Sequence, residues 1–254
     1  MNDSASRRRF IVRAVTVASG ALLVGCERLS RTAWFSKMLA VAESINLAAR
    51  NAAPRATMAQ EFSAADLSPS FRSNGTANPD NADYQRLAAG GFADYRLEIG
   101  GQVQTPLSLS LAELRALPDR TQITRHDCVE GWSAIGQWRG ARLAALLDRV
   151  RPLPSAKYVV FHCADSLDDG GAPYYESIDM EDARHEQTLL AYELNGEALP
   201  IKNGAPIRLR VERQLGYKMA KYVMRIELVD SLAGIGDGHG GYWEDQGYQW
   251  YAGI

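Results

Sequence analysis

The chain has 254 residues, 46% hydrophobic and 23% charged, which is the composition of a globular protein with one large domain or two small ones. A formal charge of -2 excludes a non-specific nucleic-acid binder, which needs a basic face. The sequence contains no internal repeat, low-complexity tract or long single-sign charge run.

Residues 1–25 read as an export signal. Ser6-Arg7-Arg8-Arg9 forms a basic head. The apolar run Ala14 to Gly25 is too short, and too interrupted by Thr16 and Ser19, to span a bilayer. The paired arginines resemble a twin-arginine signal, which exports proteins already folded, often around a cofactor. "LVGC", Leu23 to Cys26, resembles a bacterial lipobox, with Cys26 as the lipid-bearing first mature residue. These features predict a periplasmic protein that meets a membrane only through a lipid anchor. Losing residues 1–25 removes four arginines and one acid, for a formal charge of about -5.

Residues 26–67 predict a helical N-terminal spacer, packed on the main domain or holding it off the membrane. Trp34, Met38, Val41, Ile45 and Ala49 recur at helical spacing. Ser68 to Asn81 is a loop by composition, and loops of that length are often functional. The main domain is expected over 68–232. "YRLEI" predicts a strand, with Gly100-Gly101 turning the chain. Ser110 and Glu113 form a capping box that starts a short helix ended by Pro118. Cys128 is expected in a loop after a strand. Leu143, Leu146, Leu147 and Val150 then mark one face of a helix. "KYVVFH" predicts a buried strand. Asn195-Gly196 predicts a hairpin turn. "IRLRV" alternates, placing Ile207, Leu209 and Val211 opposite Arg208 and Arg210. "YVMRIELV" is the last clear strand. Residues 233–254 form a Gly- and aromatic-rich tail packed on the domain. Strands with short, irregularly interleaved helices give an α+β fold of mixed β-sheets.

Three constellations carry chemistry. In "TRHDCVEGWS", His126 and Cys128 share one face of an extended strand. A thiolate there would be favoured by a flanking cation and opposed by Asp127 and Glu130. The residues alone leave open a Cys128–Cys163 disulfide, a metal or cofactor ligand, a nucleophile and a buried thiol. A zinc set would need His162-Cys163 as well, an unusual spacing. The second constellation is Asn203, Arg208, Arg213, Lys218 and Lys221 around Gly216. It is either an anion site built from side chains and backbone amides or a solvated basic face. The third, Gly236, Gly238 and Gly241, matches G-x-G-x-x-G in form. The 13 residues that follow leave no room for a dinucleotide unit.

Taken in order, "CVEGWS", "AKYVVF", "YYESI", "LLAYELNGEALP", "NGAPIRL" and "GYKMAKYVMRIEL" resemble the sulfite oxidase superfamily. The pattern looks most like its bacterial exported branch, which includes the methionine-sulfoxide reductase catalytic subunit. The resemblance runs from about Ser68 to Val229. It implies a sulfite-oxidase-type molybdopterin-binding domain with a molybdenum-molybdopterin cofactor, and Cys128 as the metal ligand. It also implies cofactor contacts from Phe71, Arg72, Asn74, His126, Cys163, Asn203, Arg208 and the Lys218-Met219-Ala220-Lys221 turn. Tyr174 matches a tyrosine near the oxo group, and Trp132 is a further wall candidate. The implied activity is oxygen-atom transfer. The substrate is a small molecule or a protein sulfoxide, and electrons are exchanged with a separate carrier such as a membrane cytochrome. The rival is a cofactor-free lipoprotein with a Cys128–Cys163 disulfide. No arginine-rich stretch follows Cys128 before Arg139, which counts against sulfite as substrate.

Overall fold

A computed structural model describes residues 57–167 and 171–254, together with Thr32, Trp34, Phe35, Lys37, Met38, Val41, Ala42 and Ile45. The expected signal and lipobox lie outside the described residues. The chain divides into Met1–Pro54 and Arg55–Ile254. In the first unit, Trp34, Met38, Val41 and Ile45 are helical, at the spacing the sequence predicts, and all four are exposed. No helix among the described residues is long and apolar enough to cross a membrane.

The second unit begins upstream of residue 68. Phe62 N–H donates to the Ile123 carbonyl at 2.9 Å, and Glu61 bridges Thr124. Its elements in order are α1 (Ala82–Ala89), β1 (Arg96–Gly101), β2 (Leu107–Ser110), α2 (Leu111–Arg115), β3 (Asp119–Cys128), β4 (Trp132–Arg142) and α3 (Leu143–Val150). There follow β5 (Tyr158–Cys163), β6 (Tyr175–Asp179), α4 (Met180–Arg184), β7 (Leu189–Leu194), β8 (Glu197–Ala198), β9 (Arg208–Arg210), β10 (Val223–Val229) and α5 (Tyr242–Asp245).

The strands form two sheets, one mixed and one antiparallel. One runs β2-β1-β10-β5-β6, with β1 and β10 parallel and the other pairs antiparallel. The other runs β3-β4-β7-β8, and β9 also pairs with β7. The core lies between them. Leu97, Ile99, Phe161, Ile226 and Leu228 from the first sheet join Ala141, Leu190 and Leu209 from the second. Leu143, Leu146, Leu147 and Val150 of α3 fill the same core and are fully buried, so the predicted helical face is the buried one. Burial of such a side chain stabilises by roughly 1.5–3 kcal/mol.

Local predictions hold where local chemistry decides. The Ser110–Glu113 capping box starts α2. Asn195 and Gly196 both take positive φ, 54° and 82°, in the β7–β8 hairpin. Two expectations are corrected. Gly100 and Gly101 do not turn the chain; they are the last pairs of β1, opposite Glu227 and Leu228 of β10. Cys128 is not in a loop. It is the last residue of a ten-residue strand and pairs with Trp132 across a tight turn. The β4–β7 pairing has an irregularity at Arg139/Gly140, where a Cβ on Gly140 would lie 2.4 Å from the Leu190 carbonyl oxygen. Only glycine lets these strands approach so closely.

Replacing Leu146 by Ala should lower the unfolding free energy by about 2–5 kcal/mol in urea titrations. Arg149→Ala, on the exposed side of α3, should stay within about 0.5 kcal/mol of the parent.

Candidate active site

Cys128 sits at the tip of the β3–β4 hairpin. Alternation along β3 buries Gln122, Thr124 and His126 and carries Cys128 onto their face, at the edge of a cavity of about 230 Å³. Four other segments complete the walls. They are the 74–76 loop, Asp165 and Leu167 with Tyr174, the turn from Gly216 to Lys221, and Trp243 and Tyr248 of the tail.

The hairpin tip is held by Glu130. Its carboxylate accepts from Trp132 Nε1 at 2.9 Å and from Gly75 N–H at 3.2 Å, and these bonds lower its pKa. The tip is thereby tied to the 74–76 loop. Trp132 does not line the cavity. Its ring packs on His126 and Phe71, with the Arg72 guanidinium 5.7 Å from its centroid. Phe71 packs edge-on to Trp138 at 5.0 Å and is core, and Arg72 is exposed. Neither lines the cavity.

Behind the hairpin lies a buried polar network. Arg210 makes two hydrogen bonds to Glu212, and Gln122 donates to Glu212 at 2.9 Å. Arg210 also donates to His126 Nδ1 at 3.0 Å. Guanidinium has no acceptor, so His126 Nδ1 carries no proton. Burial, with Arg210 next, holds the His126 pKa well below its usual value. The ring is therefore neutral, with its proton on Nε2. Met219 Sδ lies 3.3 Å from Nδ1. A Cβ on Gly216 would fall 2.5 Å from His126 Nε2, so this glycine is what lets the turn close over the imidazole.

Arg208 and Arg210 are both fully buried, which excludes the solvated basic face. Their guanidiniums lie 5.2 and 4.4 Å from the Trp138 ring centroid. Arg208 bonds only carbonyls, those of Asn203 at 3.0 Å and Met219 at 3.3 Å. Burial and the neighbouring Arg210 push its pKa down to about 9. Lys221 donates to the carbonyls of Asn74, Thr76 and Lys202, stapling the loop to the turn. Burial pushes the Cys128 thiol pKa up, and Glu130 adds to this, while the Glu130 backbone amide, Arg208 and Arg72 oppose it. Burial raises the Asp165 carboxyl to about 6.

The predicted site residues therefore divide. Cys128, Asn74, Tyr174, Met219 and Lys221 line the cavity. His126, Asn203 and Arg208 are buried and adjoin the turn. Cys163 is buried, its backbone N–H bonded to the Tyr174 carbonyl, and Ala220 is core; neither lines the cavity. Cys128 and Cys163 are both free thiols, so the rival disulfide is not formed. Lys218 is not a cavity residue. Its ammonium is fully buried between the carboxylates of Glu176 and Glu244 and lies 5.3 Å from the Trp250 ring centroid. Tyr174 lines the cavity, but its hydroxyl donates to the Tyr217 carbonyl at 2.7 Å, so its proton is already committed. The sequence reading missed Glu130, Thr76 and Asp165. Of these, an acid directly after the "KYVVFH" strand was a usable signal for Asp165.

The donor set bears on what the site holds. Among the described residues no group of three His, Cys, Asp or Glu side chains can hold a metal ion. A metal at Cys128 must bring its other ligands with it, as a metal bound by an organic dithiolene does. Asn74 Oδ1, His126 Nε2, Asp165 Oδ1, Asn203 Nδ2 and Arg208 Nε are buried without a hydrogen-bond partner. Each such atom costs about 1–3 kcal/mol, and the donors among them, on His126, Asn203 and Arg208 beside the turn, suit a polar, anionic ligand. The residues present fit the group.

A soft thiol at a hairpin tip, beside buried cationic and orphaned polar groups, is the setting for a metal carried on an organic cofactor. Residues 85–233 match the oxidoreductase molybdopterin binding domain. The chain belongs to that family and is a molybdopterin-dependent oxidoreductase with a molybdenum-molybdopterin cofactor. It is 37% identical over 252 residues to a protein of Azospira oryzae named putative protein-methionine-sulfoxide reductase subunit YedZ1, covering 98% of this chain and 88% of that one. It is 38% identical over 150 residues to the protein-methionine-sulfoxide reductase catalytic subunit MsrP of Xanthomonas axonopodis pv. citri, covering 56% of this chain and 47% of that one. Among solved structures, the sulfane dehydrogenase SoxCD of Paracoccus pantotrophus is similar, with 27% identity, a TM-score of 0.49, and 55% of this chain and 39% of that one covered.

Lys218→Met should cost about 3–5 kcal/mol, because it leaves two carboxyls buried without their cation. Burial raises the Glu176 pKa, with Lys218 opposing and Glu244 adding to the shift. Glu176→Gln keeps the shape and leaves Glu244 to pair with Lys218, so it should cost less than Lys218→Met in the same urea titration.

Proposed function

We propose that the protein reduces a methionine-type sulfoxide to the thioether by oxygen-atom transfer. The sulfoxide takes up two electrons and two protons, its sulfur–oxygen bond breaks, and the products are the thioether and one water. The observation that carries this reading is a single thiol ligand, Cys128, in a cavity whose other walls combine proton-bearing and aromatic groups. The names of the relatives support the substrate class. The bound group supplies two-electron redox chemistry and an oxygen acceptor. Cys128 would hold the metal, and Arg208, Asn203, His126 Nε2–H and Asn74 would meet the cofactor's polar and anionic parts.

Asp165 is suited to hold and deliver a proton from its carboxyl. It lines the cavity and is 3% exposed, with a pKa near the working range of an acid catalyst. Glu130 and Lys221 are committed to protein partners and hold the walls in place. The paired arginines and "LVGC" support export after cofactor insertion and lipid attachment at Cys26. A separate membrane cytochrome would then supply electrons.

Cys128→Ser should lower sulfoxide reduction by about tenfold or more and change the thiolate-to-metal absorption of the loaded enzyme, while circular dichroism stays that of a folded protein. An unchanged absorption spectrum would sink the ligand assignment. Sulfoxide reduction should fall as pH rises through about 6, because Asp165 must be protonated to donate. Asp165→Asn should be slower and lack that limb, and an unchanged pH profile would exclude Asp165 as the acid.

A further inference from the structure

The family match ends at residue 233, yet the cavity does not. Trp243 and Tyr248, on the tail, supply two of its lining side chains. We propose that these two residues are the specificity-determining wall of the cavity. They grip the alkyl part of a sulfoxide side chain carried on a peptide, and the sulfoxide group points to the floor that bears Cys128. This inference rests on the sulfoxide reading above.

The wall is built and anchored. Glu244, between the two aromatics in sequence, is buried on Lys218. The neighbouring Asp245 accepts from Tyr175 Oη. Trp250 Nε1 donates to Ser177 Oγ at 2.8 Å, and Tyr217 Oη donates to the Gln249 carbonyl at 2.7 Å. Each anchor joins the tail to β6 or to the turn after β9. Anchors at residues 244–245 and 249–250 hold the two rings against the domain.

The rings are continuous with the domain's own aromatics. Tyr174 meets Tyr242 at 5.7 Å between centroids, Tyr242 meets Trp243 at 5.4 Å, Trp243 meets Tyr248 at 5.2 Å, and Tyr248 meets Tyr217 at 5.3 Å. Of this arc of five rings, Tyr174, Tyr217, Trp243 and Tyr248 line the cavity together with the polar Asn74, Asp165 and Lys221. A lining that combines polar and aromatic groups suits a ligand with an S=O dipole at one end and methylene and methyl groups along its flank. Sulfur and its attached carbons pack favourably on aromatic rings.

The rim indicates how the sulfoxide is presented. Val129 and Tyr248, both lining residues, are each 42% exposed and put apolar surface at the mouth beside the exposed Glu130. Lys221 already serves three carbonyls, which leaves it no free counter-charge for the carboxylate of a free amino acid. A peptide backbone, with no such charge at the residue concerned, fits this mouth better.

The test uses the molybdenum-loaded full chain and its Trp243→Ala, Tyr248→Ala and Trp243→Phe variants. Turnover of a peptide containing methionine sulfoxide is compared with that of dimethyl sulfoxide, which lacks the side-chain methylenes the rings would grip. The ratio of kcat/KM for peptide over dimethyl sulfoxide should fall about five- to tenfold in each Ala variant, mainly through KM. Trp243→Phe should restore most of it. A non-reducible peptide sulfone, titrated by calorimetry, should bind correspondingly more weakly to the Ala variants. An unchanged ratio, or equal losses on both substrates, would overturn the inference. If the parent enzyme reduces no sulfoxide, the functional reading fails. The sulfone titration then still decides the wall, and equal binding by parent and Trp243→Ala would overturn it.

Discussion

The buried arginine pair on β9 is the constraint on which the site depends. Arg208 and Arg210 alternate with Ile207, Leu209 and Val211, and both guanidiniums lie against the Trp138 ring. Two like charges at zero exposure are tolerable only if each is provided for. Arg210 is provided for inside the chain, by Glu212 and by the neutral His126 ring. Those bonds tie β9 to β3, and β3 carries Cys128. Arg210 thus sets the position of the ligand without touching the cavity.

Arg208 is not provided for in the same way. It has carbonyl acceptors and an unpartnered Nε, and its lowered pKa records the cost of an uncompensated buried charge. An anionic group beside it would relieve that cost, as it would for the unpaired donors of Asn203 and His126. A cofactor that supplied those partners would couple its own binding to the stability of the domain. The hairpin geometry of Cys128 follows from the same requirement. A thiol whose pKa is raised by burial is a poor free nucleophile, but bound to a metal it loses its proton.

Sequence patterns were readable where one segment decides its own structure. The α3 face, the α2 capping box and the Asn195-Gly196 turn each depend on residues within a few positions of one another. The alternation of "IRLRV" showed which residues share a face, but not that both faces are buried. That depends on Trp138, on a strand far earlier in the chain. Lys218 shows the same limit. Its place in "GYKMAK" suggested a cofactor contact, while its partners Glu176 and Glu244 lie 42 and 26 residues away. Cys163 and Phe71 sit in cofactor-like motifs, yet packing places them behind the cavity wall rather than on it.

Glu130 and Trp132, the two residues after Cys128 whose purpose local pattern left open, show how the site divides its work. The indole donates to the carboxylate, the carboxylate receives the Gly75 amide, and Lys221 fastens the same loop from the other end. The loop, the hairpin and the lysine turn thereby move as one body. Preorganisation of this kind matters most where the protein offers a metal a single ligand. With one bond to the chain, the orientation of the cofactor is set by the polar cradle around it rather than by a ligand cage. The family-matched residues 85–233 supply most of that cradle, and the tail beyond them adds two aromatic side chains, Trp243 and Tyr248, to the cavity lining.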